Sequence, residues 1–231
     1  IDITKKITPD FKSNNNDILY IDLGYNNTNL GGSALAQVYN QIGISSPDFI
    51  NIDNFKNIFN IIQNLITSKQ ILSGHDRSDG GLITTILEMC IAGNIGCNIN
   101  INNTTKYIDY FFNEELGLII EVLPQYTNNI IKLFDNIVPI FNIGKTTNKN
   151  SIKIYYNSIN ILDTSVTYIR NLWEKTSYFI ETKQVKNNQA YYENIYYNTF
   201  NVTKYYIPDV LYSYEFLNDK HNFSVAIFRE E

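Results

Sequence analysis

Residues 82–93, LITTILEMCIAG, are almost wholly apolar and follow directly on two glycines. A helix that is apolar all round has no face to give to water, so this one must be covered on most sides. The surrounding sequence supplies the cover. ILSGHDRSDGG, which precedes it, reads as a strand leading into a loop, and GCNININN (96–103) alternates as a strand. Further strands are predicted over 17–23, 118–123, 139–143, 152–156 and 159–162, with one of the alternating run at 97–101. Helices are predicted over 33–42 (capped by Ser33, stopped by Gly43), 54–68, 82–92, 126–136 and 164–180. Asp163 or Thr164 can cap the last, which carries the single Trp, Trp173. Residues 54–70 place Phe55, Ile58, Phe59, Ile62, Leu65 and Ile66 at helical spacing, so this helix and 82–92 are expected to pack on the sheet. The alternation predicts an α/β (α+β) fold, a mixed sheet packed with helices.

Composition bounds the function. The net charge of −5 and pI near 5.1 leave no basic stripe for nucleic acid or anionic lipid. No run approaches a membrane span, and IDITKKITPDFK lacks the features of a signal peptide. Cys90 and Cys97 fit no zinc spacing and read as buried free thiols, which places the chain in a reducing, cytoplasmic setting. About one residue in seven is Asn, with Ile, Tyr and Lys also heavy. Stretches that escape this bias are the informative ones. HDRSDGGL (75–82) is the clearest.

Asp76 and Asp79 stand at a strand end, with Gly80 and Gly81 leading into the helix. Paired glycines let backbone N–H groups approach a ligand, and a helix N-terminus favours an anion there. A carboxylate beside a phosphate points to Mg²⁺, which takes one or two carboxylates plus phosphate oxygens. Ser78 can donate to that phosphate. The plainer alternative stays open: Ser78 and Asp79 cap the helix while Arg77 pairs with one aspartate. Glu114 and Glu115 in NEELG (113–117) can bind a metal or an amine, or form a solvated turn. His75 is a general-base candidate or a satisfied core histidine, and Gly31–Gly32 is a weak phosphate signal without a following Lys.

Beyond residue 181 the chain turns polar and aromatic without a sustained period and reads as an extended linker. It ends in FSVAIFREE, a strand-like run, as an excerpt of a longer polypeptide does. LGGSALAQVY (30–39), SGHDRSDGGL…LEMCIAG (73–93), FNEELG (112–117) and VAIFREE (225–231) occur in an order and spacing that resembles the phosphoribosylformylglycinamidine synthase family. The resemblance implies an AIR-synthetase-like C-terminal domain at 17–163. A lead-in at 1–16, a connecting helix at 164–181, a linker at 182–224 and the first strand of a glutaminase domain at 225–231 complete the division. It implies an ATP-dependent carbon–nitrogen ligase of purine biosynthesis that amidates formylglycinamide ribonucleotide with ammonia from glutamine. The glutaminase nucleophile and its partners would lie past residue 231, so no catalytic residue is assigned here. Asp76 is implied as a Mg²⁺ ligand and Ser78, Gly80 and Gly81 as contacts of ATP or ADP, with His75, Asp79, Glu114 and Glu115 lining the site. The rest of that site, and the glutaminase, would come from other domains of the same chain. Two alternatives accompany this reading: a structural module that holds an auxiliary ADP, and another ATP-dependent enzyme of the same superfamily.

Overall fold

The computed structural model describes residues 5–49, 51–186 and 188–199. Among them, seven strands form one mixed sheet: β1 (Asp17–Asp22), β2 (Ile71–Asp76), β3 (Gly96–Ile101), β4 (Gly117–Val122), β5 (Ile140–Thr147), β6 (Ile152–Tyr156) and β7 (Ile159–Thr164). Their spatial order is β2-β4-β1-β5-β3-β6-β7, with β3 and β6 parallel and every other pair antiparallel. β1 is buried along its whole length, which is why DILYID reads as a nearly continuous apolar run.

The period of two along each strand divides the core into two layers. Leu19, Ile21, Ile120 and Val122 face α2 (Ile52–Thr67) and α5 (Pro124–Leu133). Ile18, Tyr20, Ile119 and Ile99 face α3 (Gly81–Gly93), α4 (Tyr107–Phe112) and the start of α6 (Val166–Gln184). Helices 54–68 and 82–92 therefore do pack on the sheet, on opposite faces. Leu82, Ile86, Met89 and Cys90 of α3 are fully buried. At about 1.5–3 kcal/mol for each large apolar side chain, this helix is a principal source of stability.

Several boundaries differ from the sequence expectation. α2 begins at Ile52, because Asn51 accepts from Asn54 N; Ile52 itself is exposed and so contributed nothing to the apolar period. α1 (Ala34–Val38) stops short of residue 42, with Asn40 at φ 53° and Ile42 exposed, so no packing extends it. α4 was not expected, being less than two turns long. α6 is capped by Ser165, whose side chain accepts from Tyr168 N, while Asp163 and Thr164 remain in β7. The helix runs on to Gln184, and α7 (Gln189–Thr199) follows inside the segment read as an aperiodic linker. A hydrophobic period records burial, and the only buried residue here is Ala190 among those whose side chains are described in 182–199. The strand expected at 225–231 lies outside the described residues.

Buried polar groups fix the chain's entry into the sheet. Glu121 of β4 is fully buried and accepts from Lys12 N, Asn16 Nδ2 and Ser73 Oγ at 2.7–2.8 Å. Asp17 accepts from Thr127 Oγ1 at 2.6 Å and from Lys145 Nζ. Burial pushes the Asp17 carboxyl up, but these donors outweigh it and hold the group below its ordinary value. A depressed carboxyl stabilises the fold above its unfolded pKa of 3.8 and loses that contribution as pH falls through the lower folded value. Asp17→Asn is expected to cost about 1–3 kcal/mol at pH 7. Urea unfolding at a series of pH values checks this, and the gap to the wild type closes as pH drops below 3.8.

Candidate functional site

HDRSDGGL joins β2 to α3 at one end of the sheet, and one of its polar residues turns inward while its neighbours turn outward. Asp76, Ser78 and Asp79 are exposed; Arg77 is buried. The Arg77 guanidinium donates from Nε to Glu115 O, from Nη1 to the Tyr20 hydroxyl, and from Nη2 to Leu116 O at 2.9 Å. Nη2 also lies 3.4 Å from Asp22 Oδ1, with both side chains almost fully buried. The same guanidinium stands over the Tyr20 ring, 5.3 Å from its centroid. Arg77 thus pairs with Asp22, not with Asp76 or Asp79. Its planar fork bridges the end of β1 and the loop before β4.

Asp22 completes this frame. Its Oδ1 accepts from Tyr20 OH at 2.8 Å and Gly24 N at 3.1 Å, and its Oδ2 accepts from Asn26 N at 2.8 Å. Burial drives the Tyr20 hydroxyl well above its ordinary pKa, so it stays a neutral donor to that carboxylate. Tyr20, Asp22, Asn27, Arg77, Tyr110 and Asn113 line a small polar crevice under the loop.

NEELG is not a solvated turn. Glu114 Oε1 accepts from Gly80 N at 2.7 Å and Ala34 N at 2.8 Å, so one carboxylate serves the N-terminal ends of both α3 and α1. Glu115 is fully buried; its Oε1 accepts from Asn29 Nδ2 at 2.8 Å, and its Oε2 has no hydrogen-bond partner among the described residues. Asn113 is buried and donates to Asp109 O and Tyr110 O, closing the end of α4.

α3 is not capped by Ser78 or Asp79. Its N-cap is Gly80 at φ 82°, with no side-chain hydrogen bond, and its first turn holds no acidic residue. Gly81 has φ 74°, and a Cβ there would lie 2.6 Å from the carbonyl oxygens of Phe111 and Asn113. The glycine pair therefore has an internal use: it lets α3 start against the backbone that ends α4. Ser78 and Asp79 are left free of capping duty.

His75 is neither fully buried nor open, its side chain 20% exposed. Nε2 lies 2.7 Å from Glu88 Oε2 and Nδ1 3.2 Å from Asp76 Oδ1. The Asp76 side chain is 75% exposed. Among the described residues, no group of three or more His, Cys, Asp or Glu side chains is placed to hold a metal ion. What the site offers is two outward carboxylates, Asp76 and Asp79, a donor set suited to an ion that completes its shell with phosphate oxygens and water. Sequence reasoning missed Asp22, Tyr20 and Glu88. Only the position of Asp22 at a strand end before Gly24 was there to signal the first.

A mixed sheet layered between helices, with a polar loop where β2 meets α3, defines a domain of the AIR-synthase type. The chain belongs to the family "AIR synthase related protein, C-terminal domain", which matches residues 21–157. A curated relative, the probable phosphoribosylformylglycinamidine synthase, chloroplastic/mitochondrial, of Arabidopsis thaliana, is 39% identical over 189 residues, covering 79% of this chain and 13% of that protein. The phosphoribosylformylglycinamidine synthase of Dictyostelium discoideum is 38% identical over 214 residues, covering 79% and 15%. The chain thus spans 13–15% of the length of these relatives. Among solved structures, T. maritima PurL complexed with FGAR superposes with a TM-score of 0.63 at 10% identity, over 73% of this chain and 30% of that one. T. maritima PurL complexed with ATP gives 0.60 at 9% identity, over 73% and 28%. At such identities the likeness is one of fold.

Arg77→Lys keeps the charge but removes the fork, leaving buried acceptors unpaired. The variant is expected to lose about 2–4 kcal/mol of stability, measured by chemical denaturation.

Proposed function

We propose that this chain is the second AIR-synthetase-like C-terminal domain of a phosphoribosylformylglycinamidine synthase, and that its β2–α3 loop forms one wall of a Mg-nucleotide site. The names of the two relatives support the family of reaction. The ATP and FGAR complexes of T. maritima PurL support a fold that serves nucleotide substrates. The observation that carries the local reading is the outward set Asp76, Ser78 and Asp79, raised on a buried Arg77 and unused by the helix it precedes.

In this reading the whole enzyme is an ATP-dependent carbon–nitrogen ligase. Formylglycinamide ribonucleotide, glutamine, ATP and water give formylglycinamidine ribonucleotide, glutamate, ADP and phosphate. Mg²⁺, when bound, neutralises charge on the nucleotide phosphates. Asp76 would hold the ion from this side, and Ser78 would donate its hydroxyl to a phosphate oxygen. Gly80 and Gly81 shape the turn that presents both. The Gly80 amide already donates to Glu114, so a phosphate reaching that amide must compete with a carboxylate. Other domains of the same chain supply the remaining ligands and the glutaminase that releases ammonia.

Asp76→Asn keeps the side chain's shape and removes its charge. In the full-length protein, bound nucleotide is expected to weaken by about 10²-fold, the loss of a charge-assisted contact of a few kcal/mol. The Mg²⁺ and nucleotide contents of purified wild type and variant decide it. Equal stoichiometric occupancy in both removes the metal-ligand role.

A further inference from the structure

We propose that Glu88, acting through His75, is a positioning residue for Asp76; this rests on the reading of Asp76 as a metal ligand. Asp76 is the last residue of β2, and its exposed side chain would otherwise sample several rotamers. The only side chain within bonding distance of it among the described residues is His75, with Nδ1 3.2 Å from Oδ1. That contact selects an orientation in which the second oxygen faces solvent. The imidazole must itself be held if it is to hold anything.

Two rigid elements hold it. The backbone of His75 lies in the sheet opposite Ile119 of β4. Its Nε2 sits 2.7 Å from Glu88 Oε2, on the second turn of α3. α3 is rooted by the fully buried Leu82, Ile86 and Met89, so Glu88 has little freedom to drift. Glu88 is thereby coupled to the site although it does not face it. A hydrogen-bonded chain of this kind behind a metal-binding carboxylate fixes the ligand's direction, and its loss typically weakens metal binding by about 10–100-fold.

The role of a simple tether between β2 and α3 predicts something different: lost stability with unchanged metal affinity. The test uses the full-length protein with Glu88→Ala, Glu88→Gln and Asp76→Asn. Mg²⁺ is titrated calorimetrically in the presence of saturating ADP, and Tm is recorded alongside. Glu88→Ala is expected to raise the Mg²⁺ Kd about 10-fold. Glu88→Gln, whose amide can still hydrogen-bond to Nε2 of His75, is expected to restore a value close to the wild type. An unchanged Mg²⁺ Kd in Glu88→Ala overturns the proposal, whatever happens to Tm. If Asp76→Asn abolishes binding in that case, the metal site stands and only the positioning role falls. An unchanged Kd in Asp76→Asn overturns both.

Discussion

The buried guanidinium of Arg77 determines the shape of everything at this end of the sheet. A charge out of water is tolerated only when its donors are used, and here they reach Tyr20, Asp22 and the carbonyls of Glu115 and Leu116. These groups belong to the end of β1 and to the loop before β4, which the sequence keeps far apart. Arg77 turns inward just past the end of β2, and its neighbours Asp76 and Ser78 turn outward. The exposure of the candidate ligands accompanies the burial of the residue between them.

The start of α3 is shaped by a second constraint. A helix N-terminus attracts an anion, and Glu114 already provides one to Gly80 N while serving Ala34 N at α1. One carboxylate therefore links NEELG, the Gly31–Gly32 segment and HDRSDGGL. Motifs that are separate in sequence form a single polar cluster, which explains why each is short and none is informative alone. Below it, the neutral Tyr20 hydroxyl and the Asp22 carboxylate close the crevice with internal hydrogen bonds rather than leaving free charge.

Much of the fold was legible because the central strands β1 and β4 are buried along nearly their whole length and β3 and β6 along alternate residues. Continuous or alternating apolar runs reveal β1, β3, β4 and β6, and the all-apolar 82–93 reveals α3 as a covered helix. The legibility fails where burial fails. α7 and the later turns of α6 keep Leu172, Trp173, Phe179 and Tyr192 exposed, so their sequence carries no clean period. α4 was hidden for the opposite reason: Tyr110 and Phe111 are buried, yet six residues are too few to show a repeat.

The sequence by itself determined the class of fold, the position of the polar loop before α3 and the candidate carboxylate at Asp76, because each depends on local pattern and residue chemistry. Tertiary structure alone decided what the neighbouring groups do. Arg77 pairs with Asp22, Gly81 gives way to the backbone of α4, Glu114 spans two helix ends, and Glu88 reaches His75 across 13 positions. A side chain's capacity to donate or accept is written in its type. Its partner is set by which elements the burial of apolar faces brings within hydrogen-bonding distance, and that distance exists only once the layers have packed.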